Sequence, residues 1–211
     1  MVEAAVVERV LCVVDRCLRS QFPDDYYYKR CMYASFGVYR LLQAMGHDPV
    51  VVGGNFLTLV VARNEPKGSM QGYASDSNKH AHFWVELNGS IIDLGTYYLP
   101  IGSSFPAYDI PVTFWDKSHA LPSGMRYDPE ASYASLEALY LEPHIVGKME
   151  PFLAACTARV AKPLVKPKVG KWLLTSPASI DRAASKGDQW AQGMVCHQRR
   201  SAGQRFSARV D

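Results

Sequence analysis

His82 and Asp93 flank an Asn88-Gly89 step in the run His82-Phe83-Trp84-Val85-Glu86-Leu87-Asn88-Gly89-Ser90-Ile91-Ile92-Asp93-Leu94. Asn-Gly between two alternating segments selects a two-residue type I′ hairpin, whose loop length fixes the register. Leu87 then faces Ser90, Trp84 faces Asp93, and His82 lies diagonally across from Asp93 on the same face, roughly 5 to 8 Å away between Cβ atoms. A carboxylate at that separation can accept a proton from one ring nitrogen and fix the tautomer, which leaves the other nitrogen to serve a nucleophile. Cys31 is the candidate nucleophile, because it opens a helical stretch whose positive dipole end and a neighbouring imidazolium would both favour the thiolate.

The elements that must position these groups can be read along the chain. Val6, Val7, Val10, Val13, Val14 and Cys17 form one side of an amphipathic N-terminal helix, with Cys12 and the charged residues on the other. The stripe Cys31, Ala34, Ser35, Val38, Leu42 and Met45 predicts a second helix capped by Gly46, and the small Ala34 and Ser35 would let a sheet approach closely. Valine-rich 49–61 with Gly53-Gly54 reads as one or two strands with a bulge, and polar 63–80 as an exposed loop. In the hairpin, Phe83, Val85, Leu87, Ile92 and Leu94 form an apolar face opposite His82. Residues 128–141 and 146–161 read as helices, the latter expected to cover that face on the far side of the sheet from the cysteine helix. After Pro163 the pattern weakens. The expected organisation is one domain over 1–196, ending in a helical extension, and a disordered basic tail over 197–211.

A cysteine opening a helix, a strand His82-Phe83-Trp84-Val85-Glu86 and a second strand ending Ile91-Ile92-Asp93, in the order Cys, His, Asp, resembles the transglutaminase-like branch of the papain-like cysteine peptidase superfamily. The resemblance covers roughly residues 20–100. It implies an α+β fold with a papain-like core, in which the helix carrying Cys31 packs on an antiparallel sheet, and a Cys31–His82–Asp93 triad. Around Cys31 the chain reads Lys29-Arg30-Cys31-Met32-Tyr33, without the glycine and bulky residue that often flank the family's cysteine, and Asp25 stands where a papain-like glutamine would help form an oxyanion hole. Gln21 or Tyr28 could substitute, with the Cys31 N–H as second donor. His80 shares the face of His82, and Trp84 lies on it as well; both are candidate substrate contacts.

Composition bounds the rest. The chain has 211 residues, 48% apolar and 20% charged, which suits a packed globular core. Its formal charge of +3 sits in the last fifteen residues, with four arginines against one aspartate. A neutral body with a short basic tail argues against nucleic-acid binding. Charged residues interrupt the N-terminal apolar segment, and no run approaches the ~20 residues of a membrane span. Five cysteines without a CxxC fit reduced thiols and a cytoplasmic setting better than a disulfide framework. The expected function is thiol-dependent amide hydrolysis or acyl transfer on a peptide, protein or small amide, with no cofactor and no metal. His80-x-His82 with Cys31 and Asp93 is also a set that zinc could use. The alternative of another class is a catalytically silent fold that binds a partner.

Overall fold

The computed structural model describes residues 3–22, 30–73, 81–139, 143–162, 169–170 and 172–207, with backbone alone over 202–207. Helix α1 (Ala4–Gln21) buries Val7, Val10, Leu11, Val14 and Leu18. Cys12 is buried too, although the helical period assigns it to the polar side. Helix α2 (Arg30–Ala44) ends at Gly46, whose φ of 82° takes the left-handed conformation that a Cβ disfavours. There His47 N–H donates to the Leu42 carbonyl and Gly46 N–H to that of Gln43.

Strand β1 (Val50–Val61) is the hub of a curled, mostly antiparallel sheet. Its second half pairs with β2 (Gly68–Tyr73), its first half with β3 (His82–Leu87), and most of its length with β6 (Met125–Tyr133). Beyond β3 the sheet continues through β4 (Ser90–Asp93) and β5 (Val112–Asp116) to the short parallel β7 (Leu173–Leu174). The hairpin follows its turn chemistry: Asn88 and Gly89 have φ of 50° and 77°, and Leu87 faces Ser90. A short helix α3 (Gly95–Tyr98) follows β4.

The two faces of the hairpin belong to two cores. Phe83, Val85, Leu87, Ile92 and Leu94 pack with α1, α2 and α4 (Pro143–Val160). Trp84 and Ile91 pack with Trp115, Leu59 and the helices α5 (Pro177–Ser185) and α6 (Gln189–Ser207) through Ile180, Trp190 and Met194. The helix expected over 146–161 is therefore present, but it shares a face with the cysteine helix instead of lying across the sheet from it. The other face is taken by the C-terminal helices. Each large apolar side chain buried this way contributes about 1.5–3 kcal/mol.

Three further expectations are corrected. Residues 125–133 are a strand: Asp128-Pro129-Glu130 imitates a helix start, yet here proline sits at an irregularity where the register shifts between Gly53 and Gly54. Gly54 allows that approach, since a Cβ there would lie 2.1 Å from the Asp128 carbonyl oxygen. Within the expected 63–80 loop, residues 68–73 form β2, because the second half of β1 offers them a free edge. The C-terminal segment is helical through Ser207 where a disordered tail is expected from 197. Its start is defined by Asp188, whose carboxylate accepts from the Ala191 N–H at 2.9 Å and the Trp172 indole N–H at 3.1 Å. Trp190 then donates to the Leu59 carbonyl at 2.8 Å and anchors α6 on the sheet.

Candidate active site

β2 ends and β3 begins along the same edge of β1, with Tyr73 opposite Phe56 and His82 opposite Gly54. On the other edge Tyr127 of β6 also pairs with Phe56, so Tyr73, Phe56 and Tyr127 form a row across three strands beside the histidine. The imidazole stacks on Tyr73 at 4.9 Å and 2° and on Phe56 at 5.0 Å and 29°, with the Trp84 ring 6.0 Å away.

His82 and Asp93 are both buried, and Nε2 of the ring lies 2.6 Å from Asp93 Oδ2. The same oxygen accepts from the Tyr127 hydroxyl at 2.8 Å, while Oδ1 accepts from the Gly95 N–H at 2.7 Å. Three donors thus fix the carboxylate, two of them from the histidine and tyrosine it orients. Burial, then the Asp93 charge, raises the Tyr127 pKa well above the ordinary phenol value, so the hydroxyl keeps its proton and donates.

Cys31 stands in the first turn of α2, buried. One turn on, the Ser35 hydroxyl donates to the Phe83 carbonyl at 2.7 Å and pins the helix to the strand beside His82, as the small Ala34 and Ser35 predict. Gly95 marks where the three groups meet. A Cβ built on it would lie 2.8 Å from His82 Cε1, 3.0 Å from Asp93 Oδ1 and 3.0 Å from Cys31 Cβ. Nδ1 of His82 has no hydrogen-bond partner among the described residues, and the nearby Cys31 bears on the ring's ionisation. Burial alone would pull the His82 pKa down. The Asp93 charge and hydrogen bond, helped by Cys31, outweigh it and raise the pKa from 6.5 to about 10, so the ring is an imidazolium at neutral pH.

The remaining sequence candidates fare differently. Trp84 is fully buried and its indole N–H donates to Glu86 at 3.3 Å, while Glu86 pairs with Lys117 at 2.7 Å. It is the floor of the site and not a substrate donor. Gln21 is exposed at the end of α1 and lines a groove with Cys17 and Arg159, away from the Cys31–His82 contact. Tyr28 and His80 lie outside the described residues. Sequence reasoning missed Tyr127, Tyr73 and Phe56, which reach the site only through long-range strand pairing, and Gly95, for which the Asp93-x-Gly95 spacing was a usable signal.

No family model matches the chain, and no curated protein matches it. Among solved structures, the chain is similar to a crystal structure described only as a genomics target, with 18% identity over 83% of this chain and 96% of that one and a TM-score of 0.49. Among the described residues, no helix is long and apolar enough to cross a membrane.

Proposed function

We propose that the chain is a thiol-dependent acyl-group enzyme of transglutaminase-like type, with Cys31 as nucleophile, His82 as proton carrier and Asp93 as its orienting partner. The observation that carries this reading is the meeting of Cys31 Cβ, His82 Cε1 and Asp93 Oδ1 around Gly95, with the second ring nitrogen left for the thiol. In the reaction Cys31 Sγ, as the thiolate of a thiolate–imidazolium pair with His82, attacks the carbonyl carbon of an amide or ester. As the bond to the leaving group breaks, its electron pair takes the proton from the His82 imidazolium. Water or a second nucleophile then gives up a proton to His82, attacks the acyl carbon and displaces the Cys31 sulfur. Hydrolysis and acyl transfer share the first half and differ only in the acceptor. Tyr127 holds the carboxylate in place and does not itself contact the reacting atoms.

An activated ester tests the first half without knowledge of the natural substrate. Incubation with p-nitrophenyl acetate should release a burst of nitrophenol and leave an acetyl group on the tryptic peptide of residues 31–40, absent in Cys31→Ala. Acetyl groups found on lysines alone, with no burst, would favour the catalytically silent partner-binding fold.

A further inference from the structure

The seam between α1 and α4 joins two thiols that the proposed acyl chemistry does not use. Cys17 in α1 and Cys156 in α4 belong to one core, 4% and 0% exposed, and each thiol is the first influence on the other's ionisation. Arg9 of α1 donates to the Val160 carbonyl at the end of α4 at 2.7 Å, a second tie between the same helices. A groove of about 450 Å³ reaches Cys17 from outside, and its lining among the described residues includes Arg16, Arg159 and Lys162 with no acidic residue.

We propose that Cys17 and Cys156 are a peroxide-oxidisable dithiol, in which Cys17 reacts from the groove and Cys156 closes a disulfide behind it. The Cys17 thiolate attacks one oxygen of hydrogen peroxide, the O–O bond breaks, and hydroxide leaves, so sulfur is oxidised to the sulfenic acid as peroxide is reduced. Cys156 sulfur then attacks Cys17 sulfur, the S–O bond breaks, and the departing hydroxide takes the Cys156 proton. Both hydroxides end as water, so two thiols and one peroxide give one disulfide and two waters.

The roles follow from the surroundings. The neighbouring Cys156 thiol favours the Cys17 thiolate, burial opposes it, and the Arg159 charge adds to the first effect, so Cys17 ionises first. Cys156, beside Cys17 in a buried setting, is pushed the other way. The cations of the groove would also stabilise the hydroxide that leaves. Closing the bond ties α1 to α4, and both helices pack against α2, which carries Cys31. Such a bond would be transient and regulatory in a reducing compartment. It stands independently of the acyl chemistry at Cys31.

The test is a non-reducing tryptic map of the full chain after brief exposure to stoichiometric hydrogen peroxide. The expected product is a cross-link between the peptides of residues 17–19 and 149–159, lost on adding dithiothreitol. In Cys156→Ser the cross-link should disappear and dimedone should instead label the 17–19 peptide. The wild-type map decides the matter even if that variant does not fold. Cys17 and Cys156 both reduced while other cysteines oxidise, or Cys17 carried to the sulfinic acid with Cys156 still a thiol, would overturn the proposal.

Discussion

Asp93→Asn should lower the rate of Cys31 acylation by roughly a thousand-fold while leaving the fold in place, because the amide keeps the shape of the carboxylate but not its charge. The Gly95 N–H would keep the amide oxygen, while the Tyr127 hydroxyl and His82 Nε2 would face the amide NH2 in place of an oxygen. What is lost is the group that makes His82 an imidazolium and turns Nδ1 toward the thiol. The same variant has a distinctive pH signature. In the wild type the folded His82 pKa is raised to about 10 from 6.5, so the stability it contributes is fully present below about pH 6.5 and disappears as pH rises through about 10. In Asp93→Asn burial is opposed by Cys31 alone and this pH dependence is lost. Unfolding free energies of the two proteins, measured by denaturant titration from pH 6 to 10, should therefore converge by on the order of 3 kcal/mol. Parallel curves would mean that His82 is not held as a cation by Asp93.

Gly95→Ala is expected to be nearly as damaging to reactivity. Its methyl group would meet His82 Cε1, Asp93 Oδ1 and Cys31 Cβ at 2.8, 3.0 and 3.0 Å, and none of these can swing away easily. The ring is pinned by Asp93 and stacked on Tyr73 and Phe56, and Cys31 Cβ is fixed by the helix that Ser35 ties to β3. The helix must therefore move off the strand, at a cost of about 1–3 kcal/mol of stability, and displacement of the thiol by even about 1 Å lowers acylation on the order of a hundred-fold. The contrast is Gly147→Ala on the exposed face of α4, where an added Cβ has nothing within 4 Å. That substitution should leave both stability and acylation intact, or raise stability slightly through helix propensity. Equal behaviour of the two variants by thermal melt and acylation rate would remove the meeting point at Gly95 from the account.

The His–Asp half of this site was legible because its geometry is local. Asn88-Gly89 dictates the turn, the turn dictates the register, and alternation dictates the face. The cysteine helix was legible for the same reason, from its stripe and the glycine after it. What closes the site was not. Tyr127 stands far along the chain on β6, a strand whose Asp128-Pro129-Glu130 imitates a helix cap and whose pairing depends on an irregularity opposite Gly54. Tyr73 lies on β2, whose polar, glycine-containing sequence carries no strand signal and becomes a strand only because β1 is long enough to accept two partners on one edge. The helical extension before 197 was expected, and the basic composition hid only its continuation through Ser207; Ser176-Pro177 and Asp188 are the local start signals of its helices. α4 covers the Phe83–Val85–Leu87 face as expected, and the assignment that failed is that of α2, which shares this face, because a single sequence gives a helix its apolar stripe but does not say which face of a sheet receives it.

The central claim is that His82 activates Cys31, and competitive alkylation of the native chain measures it directly. Limiting iodoacetamide near neutral pH, followed by a tryptic map, should label the 31–40 peptide ahead of the one bearing Cys196, although Cys196 is exposed and Cys31 is buried. His82→Ala should slow that labelling about ten-fold or more, since the imidazolium that stabilises the thiolate is gone. Labelling of Cys196 first, with Cys31 reacting only once the protein is unfolded and at the same rate in His82→Ala, would contradict the account.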